Sequence, residues 1–157
     1  MTRILITGAS GLLGLNLALD ARRAHEVIGV DRSTLAHAPF QVIKADLLEP
    51  NAIPDVLKES KAEAVINCAA LADVDVCEAN PDLAHLLNTE LPARLADACA
   101  RRKIRLLHMS TDAVFDGQKV GYYIESDRPN PSGVYATTNT RVRKPFYKSI
   151  RTLSWPE

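Results

Sequence analysis

The chain has 157 residues, 46% of them hydrophobic and 24% charged, with 7 Gly and 9 Pro, a globular composition rather than a disordered, collagenous or coiled-coil one. Its 19 Lys and Arg balance 19 Asp and Glu, so the basic excess that nucleic acid or an anionic membrane surface demands is missing, and neither is expected as a partner. No apolar run approaches the roughly 18 residues of a membrane span, and Met1 to Gly8 is too short and too soon interrupted for a signal peptide. A cytoplasmic protein with one real core is expected. Cys68, Cys77 and Cys99 have spacings that fit neither a metal site nor a disulfide framework. They read as reduced thiols, with Cys68 and Cys99 in the core and no metal bound.

In chain order, apolar runs alternate with amphipathic stretches, the pattern of βαβ units around a parallel sheet. Arg3 to Thr7 is a β-branched strand, and Gly11 to Arg22 follows with Leu12, Leu15 and Leu19 at helical spacing. Glu26 to Val30, Phe40 to Lys44 and Ala64 to Cys68 read as further strands, with a helix over Asn51 to Ser60. Asp82 to Arg102 is the longest helical pattern, which Pro92 kinks or restarts. Arg105 to Met109 is a fifth strand, and Phe115 to Gly133, with its glycines and prolines, suits a surface loop or short hairpin. The fold class expected is α/β, a Rossmann-like doubly wound parallel sheet.

The sharpest local signal is Thr7-Gly8-Ala9-Ser10-Gly11-Leu12-Leu13-Gly14 at the first strand-to-helix junction. Gly8 permits a tight turn, Gly11 lets the backbone approach a pyrophosphate, and Gly14 lets the helix pack closely on the sheet. The N–H groups of Ser10, Leu12 and the helix start then face the phosphates with the positive end of the helix dipole. About 20 residues beyond the middle glycine stands Asp31, where an acidic ribose ligand belongs. Its carboxylate favours the 2′-OH of NAD(H), whereas the adjacent Arg32 suits the 2′-phosphate of NADP(H), so both cofactors stay open. Asp46-Leu47 either places a carboxylate near the adenine amino group or belongs to a helix N-cap region.

The glycine spacing, with Asp46-Leu47, Asn67-Cys68-Ala69-Ala70 and above all Ser110-Thr111-Asp112-Ala113-Val114-Phe115-Asp116-Gly117, resembles the extended short-chain dehydrogenases/reductases. The last string is similar to the STDYVFDG segment of the dTDP-4-dehydrorhamnose reductase family, and Pro129-Asn130-Pro131 leading to Tyr135 fits it too. The resemblance runs from residue 2 to residue 138 and implies an NAD(P)-binding Rossmann domain over 1–138, with Cys68, Ala69 and Ala70 along the cofactor. It also implies reduction of a 4-keto sugar on a nucleotide, that nucleotide sugar being the partner, and it allows a homodimer. By matching position, Thr111 would hydrogen-bond the keto oxygen and Tyr135 would donate the proton. Read without the resemblance, Thr111 is a hydroxyl capping a loop and Tyr135 an amphipathic residue near a loop end.

Family members carry a lysine four residues after the tyrosine, whose charge lowers the tyrosine pKa from a reference near 10. Here that position is Asn139, and Ala113 stands where the family often has tyrosine. From Asn139 the chain reads NTRVRKPFYKSIRTLSWPE, carrying a net charge of +4 against −4 for residues 1–138. Back-translating residues 138–151 with chosen synonymous codons and inserting one A after Thr138 gives TKYEGEKAVLQKHP. Joined to Tyr135-Ala136-Thr137, this restores the missing lysine and the family's GE pair. Residues 139–157 are therefore expected to be a non-family tail, out of frame with an ancestral gene, and the chain a truncated, inactive reductase. Two rival expectations share the cofactor site: a non-catalytic subunit similar to the regulatory subunit of methionine adenosyltransferase, and an epimerase or dehydratase of another nucleotide sugar.

Overall fold

Five short runs of apolar residues become the strands β1 (Arg3–Thr7), β2 (Glu26–Asp31), β3 (Gln41–Lys44), β4 (Ala64–Asn67) and β5 (Arg105–His108) in a computed structural model that describes residues 1–124 and 126–142. All neighbours are parallel, in the order β3-β2-β1-β4-β5. The chain therefore steps outward from β1 to β2 and β3, returns past β1 to β4, and leaves a topological switch point beside β1. In doubly wound sheets ligands bind at that place, outside the carboxyl ends of the strands. The register puts Thr7 beside both Val30 and Asn67, and Asn67 beside His108, so four strands end level with one another.

Side chains alternate across the pleat and fill two separate layers. Leu5, Ile28, Val30, Ile43 and Val65 face one side, where α2 (Ala52–Ser60) and α5 (Leu91–Arg102) cover them with Ile53, Val56, Leu57, Leu91 and Leu95. Ile6 and Val27 face the other side, against Ala18 of α1 (Leu12–Ala21). Among the described residues no helix is long and apolar enough to cross a membrane.

The expected helix over 82–102 is three pieces: α4 (Pro81–His85), a π-helical turn (Leu86–Glu90) and α5. The Leu91 N–H reaches back five residues to the Leu86 carbonyl. Pro92 has no N–H to offer and crowds the carbonyl four residues before it, so the widened turn absorbs the clash and α5 restarts with Pro92 in its first turn. Helix α3 (Val74–Ala79), capped by Asp73 accepting the Val76 N–H at 3.0 Å, has no clear signal in the sequence pattern, and α6 (Gly133–Arg141) carries Tyr135 and Asn139 on successive turns.

One expectation needs correction and two are narrowed. Strand β4 ends at Asn67, so Cys68 lies past it and is half-buried, while Cys77 and Cys99 are the buried thiols. The Asp46 region is no helix N-cap, because α2 starts at Ala52 behind Asn51; the Asp46 carboxylate instead accepts the Leu48 N–H at 2.9 Å in a local turn. Of the two readings of residues 115–133, the loop is the one found, with no strand among its described residues. Asp116 gathers them by accepting from Tyr123 Oη at 2.8 Å, Asn130 Nδ2 at 2.6 Å and the Gln118 N–H at 2.9 Å, while the Tyr123 ring stacks on Phe115.

Leu5 is fully buried at the centre of the larger layer. Its truncation, Leu5→Ala, is expected to lower unfolding free energy by about 2–5 kcal/mol, read as a fall in the urea midpoint at unchanged slope.

Candidate dinucleotide site

The turn after β1 is built by contacts that side chains would block. Gly8 has φ +65°, and a Cβ on it would also meet the Cys68–Ala69 backbone at 3.0 Å. A Cβ on Gly14 would stand 2.2 Å from the Gly8 carbonyl oxygen, so only glycine lets α1 cross the turn this closely. The Gly11 N–H donates to the Gly8 carbonyl at 3.0 Å, and Gly11, at the α1 N-cap, has no side chain with which to satisfy the helix's first-turn donors. Those N–H groups and the helix dipole are left for an anion.

Asp31, at the end of β2, closes the turn. Its Oδ2 accepts the Ser10 N–H at 3.0 Å and its Oδ1 the Ser33 N–H at 3.2 Å. Burial alone would raise this carboxyl, but the donors of Ser10, Ser33 and Arg32 outweigh it and hold the group below the ordinary carboxylate range.

A cleft of about 210 Å³ opens over these strand ends. The sequence-chosen residues Gly8, Ser10 and Gly11 line it from the turn after β1, Asp31 and Arg32 from the end of β2, Asp46 and Leu47 from the loop after β3, and Cys68, Ala69 and Ala70 from the loop after β4. Gly14 lies under the turn and Leu12 points outward, 87% exposed. Leu87 and Leu91 complete the wall from the π turn and α5. Their four-residue spacing places them on one helical face, but only the tertiary fold turns that face to the cleft.

Behind the cleft, a chain of polar side chains links three strand ends. Buried Thr7 donates its hydroxyl to Asn67 Oδ1 and accepts the Ala69 N–H at 3.2 Å, while Asn67 Nδ2 lies 2.9 Å from His108 Nδ1. With Asn67 Nδ2 as the donor, the histidine presents an unprotonated Nδ1. Burial pushes its pKa below the ordinary 6.5.

The two residues expected to do chemistry sit on adjoining elements, since α6, which carries Tyr135, packs on the 3₁₀ turn Asp112–Val114 behind Thr111. Thr111 Oγ1 accepts the Ala113 N–H at 3.2 Å, so its hydroxyl caps this turn. Tyr135 is half-buried. Buried Asn139 donates from Nδ2 to the Tyr135 carbonyl at 2.9 Å, so the position where a lysine was sought holds an amide folded back on its own helix. Buried Asn88 on the π turn braces α6: it pairs with the N–H and C=O of Leu71 at 2.8 and 2.9 Å and contacts Thr138 Oγ1 at 3.4 Å. Of the expected foreign tail, Asn139 to Arg141 continue α6, and residues 143–157 lie outside the described residues.

Sheet order, glycine turn and acidic β2 terminus together define an α/β protein of the Rossmann type. The profile of the RmlD substrate binding domain family matches residues 1–146, and the chain belongs to that family. It is 40% identical over 138 residues to dTDP-4-dehydrorhamnose reductase of Mycobacterium tuberculosis, covering 85% of this chain and 42% of that protein. The bovine methionine adenosyltransferase 2 subunit beta is 33% identical over 143 residues, 90% of this chain and 42% of that one. Among solved structures, a hypothetical dTDP-4-dehydrorhamnose reductase of Sulfolobus tokodaii superposes with a TM-score of 0.82 at 36% identity, over 91% of this chain and 51% of its own. The Bacillus anthracis dTDP-4-dehydrorhamnose reductase in complex with NADP gives 0.81 at 26% identity, over 94% and 49%. The chain thus spans about half the length of the proteins it matches.

His108 gives the site a pH signature. Its folded pKa lies below its unfolded value, so its contribution to stability is complete above about pH 6.5 and is lost as pH falls through the folded pKa. Stability of wild type minus that of His108→Gln, measured by urea unfolding across this range, is expected to decline on acidification; a flat difference would contradict the burial.

Proposed function

We propose that the chain is the cofactor-binding half of a nucleotide-sugar reductase resembling dTDP-4-dehydrorhamnose reductase, whose full form reduces dTDP-4-dehydro-6-deoxy-L-mannose to dTDP-L-rhamnose. The observation that carries the reading is the glycine turn closed by Asp31. The first-turn N–H groups of α1 have no side-chain cap, and the space a Cβ would fill at Gly8 and Gly14 is taken by backbone, a cradle that fits the pyrophosphate of NAD(H) or NADP(H). Gly8, Ser10 and Gly11 would hold the pyrophosphate, Asp31 and Arg32 the adenosine ribose, Asp46 and Leu47 the adenine, and Cys68 to Ala70 the far wall. Bound there, the cofactor supplies hydride. Thr111 would donate a hydrogen bond to the keto oxygen and Tyr135 would deliver the proton, a reading supported by the packing of α6 on the 3₁₀ turn that Thr111 caps. The same reading places the protein in the cytoplasm.

Asn139 is the departure that matters for turnover. A neutral amide hydrogen-bonded to the Tyr135 carbonyl brings no positive charge to the tyrosine or to a nicotinamide ribose. The 157-residue chain is therefore read as inactive or severely impaired, with residues 139–157 out of frame. The buried amide also favours a second reading, a non-catalytic dinucleotide-binding subunit of a partner enzyme, which the likeness to the bovine methionine adenosyltransferase 2 subunit beta supports.

Fluorescence titration is expected to give saturable binding of NADH or NADPH, and mixing with the dTDP-4-keto sugar no oxidation of either. Turnover should appear only when Asn139→Lys is combined with a family-like C-terminal half read from the restored frame. Failure to bind both dinucleotides would end the cofactor reading, turnover by the unaltered chain would end the claim of inactivity, and a gene with no such frame near codon 139 would end the frameshift. If the restored protein binds cofactor without turnover and saturably binds a partner enzyme, the second reading holds.

A further inference from the structure

The wall that follows β3 has no regular structure of its own, yet Ala45, Asp46 and Leu47 line the cleft. It is tied at one end by the Ala45 N–H on the Asp31 carbonyl at 2.9 Å, and it turns through the Glu49 N–H on the Asp46 carbonyl at 3.1 Å. Beyond that point the loop is held from outside. Arg94, half-buried on α5, donates from Nη1 to the Leu48 carbonyl at 3.2 Å and from Nη2 to the Glu49 carbonyl at 3.3 Å. One guanidinium fork thus spans two successive carbonyls.

We propose that Arg94 is a positioning residue for the adenine end of the dinucleotide, holding the Asp46-Leu47 wall at its binding distance from α5. The inference rests on the cofactor reading above and adds to it a residue that lies outside the cleft lining. Its geometry is specific. Leu91, three residues earlier on the same helix, lines the cleft, and Leu95, the next residue, is fully buried in the core, so the stem of Arg94 starts from a fixed point. Hydrogen bonds from a charged donor are the stronger kind, and two of them from a rigid plane set the direction as well as the distance of the loop. A loop held in its bound form before the ligand arrives spares the ligand the cost of ordering it.

Arg102 supplies an internal control. It lies on the same helix and makes the same type of contact, Nη2 to the Pro54 carbonyl at 3.3 Å, but to α2, which does not line the cleft.

The experiment is calorimetric titration of the 157-residue chain with AMP and with ADP-ribose, for wild type, Arg94→Met, Arg94→Lys and Arg102→Met, each with its urea unfolding curve. Arg94→Met is expected to weaken both ligands by about tenfold, on the scale of one charge-assisted hydrogen bond. Arg94→Lys should recover part of that loss, because one ammonium can serve only one carbonyl at full strength. Arg102→Met should leave both affinities unchanged whatever its effect on stability. Wild-type affinity in Arg94→Met, or an equal loss in the Arg94 and Arg102 variants, would overturn the proposal while leaving the cofactor reading intact. Absence of AMP and ADP-ribose binding in wild type would instead overturn the cofactor reading, and this inference with it.

Discussion

The approach of α1 to the turn beneath it governs the geometry of this protein. With a Gly14 Cβ position only 2.2 Å from the Gly8 carbonyl oxygen, any side chain there would force helix and turn apart. The same tightness recurs one strand away, where a Cβ on Gly29 would stand 2.7 Å from that of Ala9. Because the helix cannot lift, its N-terminus is fixed over the carboxyl end of β1, the position from which N–H groups and dipole act on an anion. The switch in strand order opens space at that same point, so the packing constraint and the binding cleft have one origin.

Around that point the polar groups divide by purpose. The Thr7–Asn67–His108 chain lies behind the cleft and joins β1, β4 and β5 where ladder bonds end. Asp31 lies in front, engaged by backbone donors on both oxygens and therefore ionised at neutral pH. Farther along the chain, Thr111 uses its hydroxyl to cap a turn, and Asn139 satisfies itself within α6.

Much of the fold was legible because it is local. The strands are β-branched runs, and the glycine turn declares itself by spacing, so β1, β2 and the cleft residues from Gly8 to Arg32 follow from short windows of sequence. What escaped is set at a distance. Helix α3, with two valines in six residues, reads poorly as a helix and forms through the Asp73 cap and the burial of Cys77. Cys68 looked like a strand interior because it continues an apolar run, yet the ladder stops one residue earlier. Asn88, Leu87 and Arg94 carry no local mark of their contacts, since the π turn before Pro92 and the packing of α5 on the sheet decide where they point.

The central claim, that a nicotinamide dinucleotide lies across the carboxyl ends of β1 to β4 with its pyrophosphate on the glycine turn, is tested most directly by amide NMR of the labelled chain titrated with NADH. The largest shifts are expected at Gly8 to Leu13, with further shifts at Asp31 to Ser33, Asp46–Leu47 and Cys68 to Ala70. Shifts centred away from the glycine turn, or none at saturating NADH, would contradict it.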